Sequence, residues 1–206
     1  RSLLIILLLV LGLGYLFMWP VDIDPQLWHP PEAPSLSEAP YEANEALTSS
    51  QWLETEPFGS GPEDVAVDSI GRIYGGLLYG IILRYQADGS EPEIFAETNG
   101  RPLGMAFDKE ENLIVADAVK GLLSIDRVGQ ITVLTNSAGG EVLHFTDDLD
   151  IAEDGKIYFS DASSRFGVHN WRNDIMEHRG NGRLLVYDPE SQQTEVLLKD
   201  LYFANV

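Results

Sequence analysis

From Gly61 onward the sequence repeats itself three times. Glu63-Asp-Val-Ala-Val-Asp-Ser-Ile-Gly-Arg-Ile-Tyr aligns with Leu103-Gly-Met-Ala-Phe-Asp-Lys-Glu-Glu-Asn-Leu-Ile and with Asp147-Asp-Leu-Asp-Ile-Ala-Glu-Asp-Gly-Lys-Ile-Tyr. The matched positions Asp68, Asp108 and Ala152 stand 40 and 44 residues apart. In each unit a short apolar strand (65–67, 105–107, 149–151) meets an acidic or glycine turn, and a second strand follows (72–75, 112–116, 156–160). A third strand (81–85, 122–126, 183–187) and a fourth (93–96, 131–135, 194–198) are joined at Asp88-Gly89, Val128-Gly129 and Asp188-Pro189-Glu190. Those residues suit hairpin turns. Four short antiparallel strands every 40 to 45 residues or so is the period of a β-propeller blade. A β-sandwich also has many short strands, but nothing makes it place the same turn at the same point of each unit. The predicted fold class is all-β, a β-propeller with blades over 61–98, 100–137 and 144–200 and the start of a fourth at 201–206.

Upstream of the repeats the chain changes character twice. From Ser2 to Val21 no residue is charged, and Leu3–Trp19 is almost continuously apolar. Twenty such residues, at about 1.5 Å rise each, reach across a hydrocarbon core of about 30 Å. Tyr15 and Trp19 near the far end suit the lipid–water interface. The expectation is one N-terminal transmembrane signal anchor over residues 1–21, with the lipid bilayer as a partner through residues 2–21. Arg1 before the run, with Asp22 and Asp24 after it, puts the N-terminus in the cytoplasm and the propeller on the extracytoplasmic side. A cleaved signal peptide is the alternative, although the apolar run exceeds a usual h-region and no small-x-small site follows it. The chain opens at Arg1 instead of Met and ends after three units and a stub, so it reads as a fragment of a longer propeller.

Residues 22–57 are expected to be a stalk. Positions 20–57 hold seven of the eleven prolines, eight acidic residues and no Lys or Arg. Such a stretch buries too little apolar surface to offset its ordering entropy. Within it Tyr41–Leu53 has few breakers and is predicted as a short helix. Across the whole chain, 13 Lys and Arg against 33 Asp and Glu leave a formal charge of −20. That balance argues against nucleic acid as a partner. With no cysteine, disulfides, thiolate metal sites and a cysteine nucleophile are excluded.

Several repeat residues form an ordered set: Gly61-Pro-Glu-Asp, Gly100-Arg-Pro-Leu-Gly, Val115-Ala-Asp-Ala-Val-Lys-Gly-Leu, Phe145-Thr-Asp-Asp-Leu-Asp, Ile157-Tyr-Phe-Ser-Asp-Ala-Ser and Gly182-Arg-Leu-Leu-Val-Tyr-Asp. This set resembles the strictosidine synthase-like family, most closely its adipocyte plasma membrane-associated protein branch. The resemblance covers residues 55–206, with Leu201-Tyr-Phe-Ala-Asn-Val matching less cleanly. It implies a six-bladed propeller, about half of which is present, on a single-pass membrane protein. It also implies a calcium-dependent hydrolase of small aryl esters or lactones. Two other activities stay open. One is a strictosidine synthase-type condensation of an amine with an aldehyde, whose glutamate base sits on a late blade outside this sequence. The other is non-catalytic binding.

In a propeller the start of each innermost strand lies at the mouth of the central channel. Glu63, Asp147 and Asn205 occupy such starts, and all three are oxygen donors suited to a hard cation such as Ca²⁺. The related calcium-dependent lactonases use a Glu, two Asn and an acidic residue there. The resemblance therefore implies Glu63, Asp147 (in place of an Asn) and Asn205 as ligands of a Ca²⁺ cofactor, with a fourth beyond Val206. Asp148 is an alternative to Asp147. A bound Ca²⁺ polarises an ester or lactone carbonyl and stabilises the developing oxyanion.

Leu103 stands where lactonases with a catalytic histidine place that residue, and leucine cannot act as a base. His144, just before the third inner strand, is the remaining catalytic candidate. Val206 follows Asn205 where the family has Gly, a departure that bears on the geometry of Asn205. The loop Ser164–Asn181 lengthens the third unit and carries Phe166, Trp171 and Met176 as candidate lining for a small-molecule substrate pocket.

Overall fold

A computed structural model describes residues 2–19 and 21–205. It opens with helix α1, Ser2–Phe17. Sixteen residues at about 1.5 Å each reach about 24 Å, short of the roughly 30 Å hydrocarbon core. Among the described residues, no helix is long and apolar enough to cross a membrane. Helical hydrogen bonding stops with Met18 N–H on Gly14 O, so the described helix is shorter than the span expected over 2–21. Arg1, on which the predicted orientation rests, and Pro20 lie outside the described residues.

The repeats form three four-stranded antiparallel sheets, each a simple meander. The first holds β1 (Val65–Val67), β2 (Ile73–Gly76), β3 (Ile81–Tyr85) and β4 (Glu93–Glu97). The second holds β5 (Pro102–Phe107), β6 (Leu113–Asp117), β7 (Gly121–Ile125) and β8 (Ile131–Thr135). A small hairpin, β9 (Ser137–Ala138) with β10 (Glu141–Val142), precedes the third sheet. That sheet holds β11 (Thr146–Ile151), β12 (Ile157–Asp161), β13 (Gly182–Asp188) and β14 (Gln193–Leu201). Helix α2 (Trp171–Glu177) is inserted between β12 and β13. The first strands β1, β5 and β11 lie side by side, with β5 against both others. The sheets therefore stack radially about a common axis, as blades do.

The repeated turn has one hydrogen-bond pattern. Asp68, Asp108 and Ala152 each donate their N–H to the carbonyl four residues on and accept from the N–H three residues on. The donors in that closing bond, Gly71, Glu111 and Gly155, all have positive φ, which explains glycine in two of the three. The Oδ1 atoms of Asp68 and Asp108 each take two further N–H groups of the turn.

The core sits between blades. Strand β6 is buried along its whole length, and its alternate residues face opposite neighbours. Leu113 and Val115 pack with Ala66, Tyr74 and Met105 toward the first blade. Ile114 and Ala116 pack with Leu149, Phe159 and Leu185 toward the third. A strand covered on both faces has no polar side to show, hence its unbroken Leu-Ile-Val-Ala run.

The N-terminal segment departs from a free stalk. Tyr41–Leu53 contains turns and no helix. Its residues lack a buried face, and helices this short are marginal without one. By contrast, Tyr85 donates its hydroxyl to Glu54 O at 3.0 Å, and Phe58 packs on Leu77 and Leu83. Residues 54–58 thus cover the outer face of the first blade. Residues 22–28 lie against α2, as described below.

Candidate functional site

The inner strands of the second and third blades share a bulge. Pairing slips between Pro102 and Met105 in β5 and between Thr146 and Leu149 in β11. A bulge re-aims side chains. Since Val65, Met105 and Leu149 are matched ladder positions, Glu63, Leu103 and Asp147 are equivalent, one per blade. All three line a single cavity of about 380 Å³ at the axis. Asn205 reaches the same cavity from the residues after β14, and Arg101, Phe145, Trp171 and Phe203 complete much of its wall. Close approach of the blades is fixed at Gly104, where a Cβ would stand 2.4 Å from Asp148 Oδ1 and 2.7 Å from Asp148 Cα.

The cavity is electrostatically unbalanced. Burial, reinforced by the charges of Glu63 and Asp148, pushes the Asp147 carboxyl up to about 7, while Arg101 works the other way. Glu63 is raised for the same reasons: burial first, then Asp148 and Asp64. Asp148 is also raised, by burial and by Asp64 and Asp150. Arg101 is held in place by donating Nη1–H to Gly61 O at 2.8 Å and its backbone N–H to Asp117 Oδ1 at 3.0 Å.

The donor set tests the fit to a metal. Two carboxylates and one carboxamide are hard oxygen donors, the chemistry Ca²⁺ prefers. An acid forced toward neutrality by burial and, after it, by neighbouring acids is also a place where added positive charge is favourable. The set fits Ca²⁺ as a partial shell. Among the described residues no three Asp, Glu or His side chains group so as to hold a metal ion by themselves, so Asn205 is needed and further oxygens must complete the six to eight that Ca²⁺ takes.

The other predicted residues are distributed as follows. Trp171 lines the cavity, with its ring 6.0 Å from that of Phe203. Phe166 is buried beneath the Arg165 guanidinium at 4.9 Å and is not on the cavity wall. Met176 is 61% exposed and borders a second cavity beside residues 26–28. His144 is exposed and its backbone N–H donates to Asp161 Oδ1 at 3.1 Å; its side chain does not line the axial cavity.

Sequence reasoning missed Arg101, although it sits two residues before Leu103 in the quoted Gly-Arg-Pro-Leu-Gly. It also missed Asp117 and Asp161, which end β6 and β12 and are fully buried. Asp117 accepts from the N–H groups of Arg101, Val119 and Lys120 and from the Thr98 hydroxyl. Asp161 accepts from the N–H groups of His144 and Phe145 and from Arg183. Each fixes the loop that delivers its blade's inner strand to the axis. Their sequence signal is the same acid at the end of the same strand of two repeats.

Radial four-stranded meanders around an axial cavity bearing one side chain per blade define a protein of the β-propeller class. Solved structures agree at the level of fold. A gluconolactonase from Xanthomonas campestris superposes with a TM-score of 0.55 at 18% identity, over 68% of this chain and 48% of that one. Family models then narrow the class. "Strictosidine synthase-like, N-terminal" matches residues 39–85 and "Strictosidine synthase" matches residues 147–206, which places these parts of the chain in the strictosidine synthase-like family. Among relatives, Protein STRICTOSIDINE SYNTHASE-LIKE 4 of Arabidopsis thaliana is 42% identical over 152 residues, covering 71% of this chain and 41% of that protein. The adipocyte plasma membrane-associated protein of Salmo salar is 36% identical over 200 residues, covering 85% and 47%. The chain thus spans less than half the length of these relatives.

Proposed function

We propose that this chain contributes to a six-bladed, calcium-dependent hydrolase of small aryl esters or lactones. The observation that carries the reading is the gathering of Glu63 of the first blade, Asp147 of the third and Asn205 from the segment after β14 in one cavity. Glu63, Asp147 and Asn205 would hold the Ca²⁺. When bound, that ion supplies Lewis-acid polarisation of a carbonyl and charge stabilisation of the oxyanion. Leu103, Phe145, Trp171 and Phe203 offer an apolar wall for the aryl or acyl group and exclude water around it. Arg101 supplies a fixed positive charge beside Glu63 and Asp147, limiting their mutual repulsion. Similarity to the adipocyte plasma membrane-associated protein of Salmo salar supports association with a membrane, and α1, exposed and uncharged throughout, is the element that would seat the chain on a bilayer.

Turnover of an aryl acetate by the purified protein tests the reading. Hydrolysis that is abolished by a chelator, restored by Ca²⁺ and reduced at least tenfold in Glu63→Gln supports it. Hydrolysis unaffected by chelation removes the metal from the mechanism. No hydrolysis, with binding of aryl ligands retained, makes the propeller a binding module. The family matches favour one second reading, condensation of an amine with an aldehyde. Consumption of both reactants with no ester turnover would select it.

A further inference from the structure

The segment expected to be a free spacer is tied to the wall of the axial cavity through one buried acid. Glu177, the last residue of α2, is fully buried. Its Oε1 accepts from Arg165 Nη1 at 2.7 Å, its Oε2 accepts the N–H of Asp24 at 2.9 Å, and its carbonyl accepts the N–H of Gln26 at 2.8 Å. Two arginines reinforce the attachment. Arg165 Nη2 donates to Asp22 O at 3.0 Å, and Arg179 donates to Asp24 O at 2.7 Å and to Asp24 Oδ2 at 2.5 Å. Trp28 then lies against His178, and His178 stacks on Tyr202 at 4.8 Å. Residues 22–28 form a strap over α2, made chiefly of charge-assisted hydrogen bonds.

Helix α2 is held from the blade side by a different acid. Asp174 accepts from the Ser163 hydroxyl at 2.5 Å and from Asn181 Nδ2 at 2.9 Å. The helix is only seven residues long, and a helix of two turns has little stability of its own, so these attachments decide where it sits. At its start stands Trp171, on the axial cavity wall. Phe203, next to Tyr202 at the end of the strap's stack, touches both the axial cavity and the cavity beneath the strap.

We propose that Glu177 is a positioning residue for the axial cavity: it pins the 22–28 strap to α2 and so holds Trp171 and Phe203 in the wall that faces Glu63, Asp147 and Asn205. This inference rests on that cavity being the site. Loosening the strap lets α2 shift and weakens substrate binding while leaving the oxygen donors in place.

The test compares Glu177→Gln and Asp24→Ala with the unaltered protein, by hydrogen–deuterium exchange and by aryl acetate turnover. Glu177→Gln is expected to exchange the amides of 171–178 about tenfold faster, and Asp24→Ala, which keeps the Asp24 backbone contacts and loses only the exposed ion pair, about two- to threefold faster, while β12 and β13 keep their protection. In Glu177→Gln KM is expected to rise about threefold or more with kcat within about twofold, the pattern of lost binding, and in Asp24→Ala KM rises in the same direction by less. Unchanged exchange in α2 overturns the proposal. Faster exchange with unchanged KM also overturns it, and so does loss of protection throughout β12 and β13. Asp24→Ala lies on the surface and guards against a Glu177 variant that fails to fold. If the unaltered protein shows no turnover, the hydrolase reading fails by itself and the exchange result alone decides whether the strap holds α2.

Discussion

Replacing Asp147 by asparagine should stabilise the cation-free protein at neutral and alkaline pH. The carboxyl's ordinary value of 3.8 rises to about 7 in the fold because it is buried beside Glu63 and Asp148. Between those two values the folded state keeps a proton that the unfolded state has lost, so stability falls as pH rises through the window and levels off above it. At about 1.4 kcal/mol per tenfold change, the full penalty is on the order of 4 kcal/mol. Asparagine keeps the shape and carries no charge, so Asp147→Asn escapes it. In a chain of this size about 1 kcal/mol moves a melting midpoint by roughly 2–4 °C. In chelator the variant should therefore melt up to about 8–16 °C above the parent at pH 8, with the difference closing toward pH 4. Saturating Ca²⁺ should raise the parent by about 2.7 kcal/mol at a hundredfold excess over Kd, which narrows the gap to the variant at pH 8. A variant no more stable than the parent in chelator at pH 8, or a difference that does not close toward pH 4, would refute the reasoning.

Other perturbations probe the frame and the wall. Arg183 is nearly buried between Asp161 and Glu141, so Arg183→Met strands the Asp161 charge and should cost about 3–5 kcal/mol in urea unfolding. Phe159 is fully buried between the second and third blades; Phe159→Ala should cost about 3–5 kcal/mol by the same measurement. Trp171→Ala should raise KM for aryl acetates several-fold and leave the Ca²⁺ titration unchanged, because it removes wall and no oxygen donor. Finally, 0.5 M salt should speed amide exchange in α2 and leave β6 unaffected, since the Arg179–Asp24 pair is exposed to screening.

The blades were legible because their causes are local and repeated. The Leu113–Asp117 run announces a strand buried on both faces, and Asp68, Asp108 and Ala152 mark one turn three times. Equivalence of Glu63, Leu103 and Asp147 followed from that register. Helix α2 was hidden inside a loop because its inward residues, Asp174 and Glu177, are acids, so no apolar stripe marks it. The strap was hidden for another reason. Asp24 and Gln26 attach through backbone N–H groups, which every residue but proline possesses, and the composition around them is that of a solvated linker. Residues 54–58 likewise dock by one carbonyl and one phenyl ring. For α1 hydropathy is high across the whole run, yet it does not encode where helical bonding stops, and Phe17 ends the helix short of a bilayer's thickness.

The central claim is that Glu63 and Asp147 of two blades and Asn205 of the segment after β14 hold one cation at the axis. Crystals of the protein grown with Ca²⁺ and then exchanged into a lanthanide give the most direct test, through anomalous scattering. A single strong peak within coordination distance of Glu63, Asp147 and Asn205, absent in Glu63→Gln, is the predicted result. No peak at the axis, or the same peak in the variant, would contradict it.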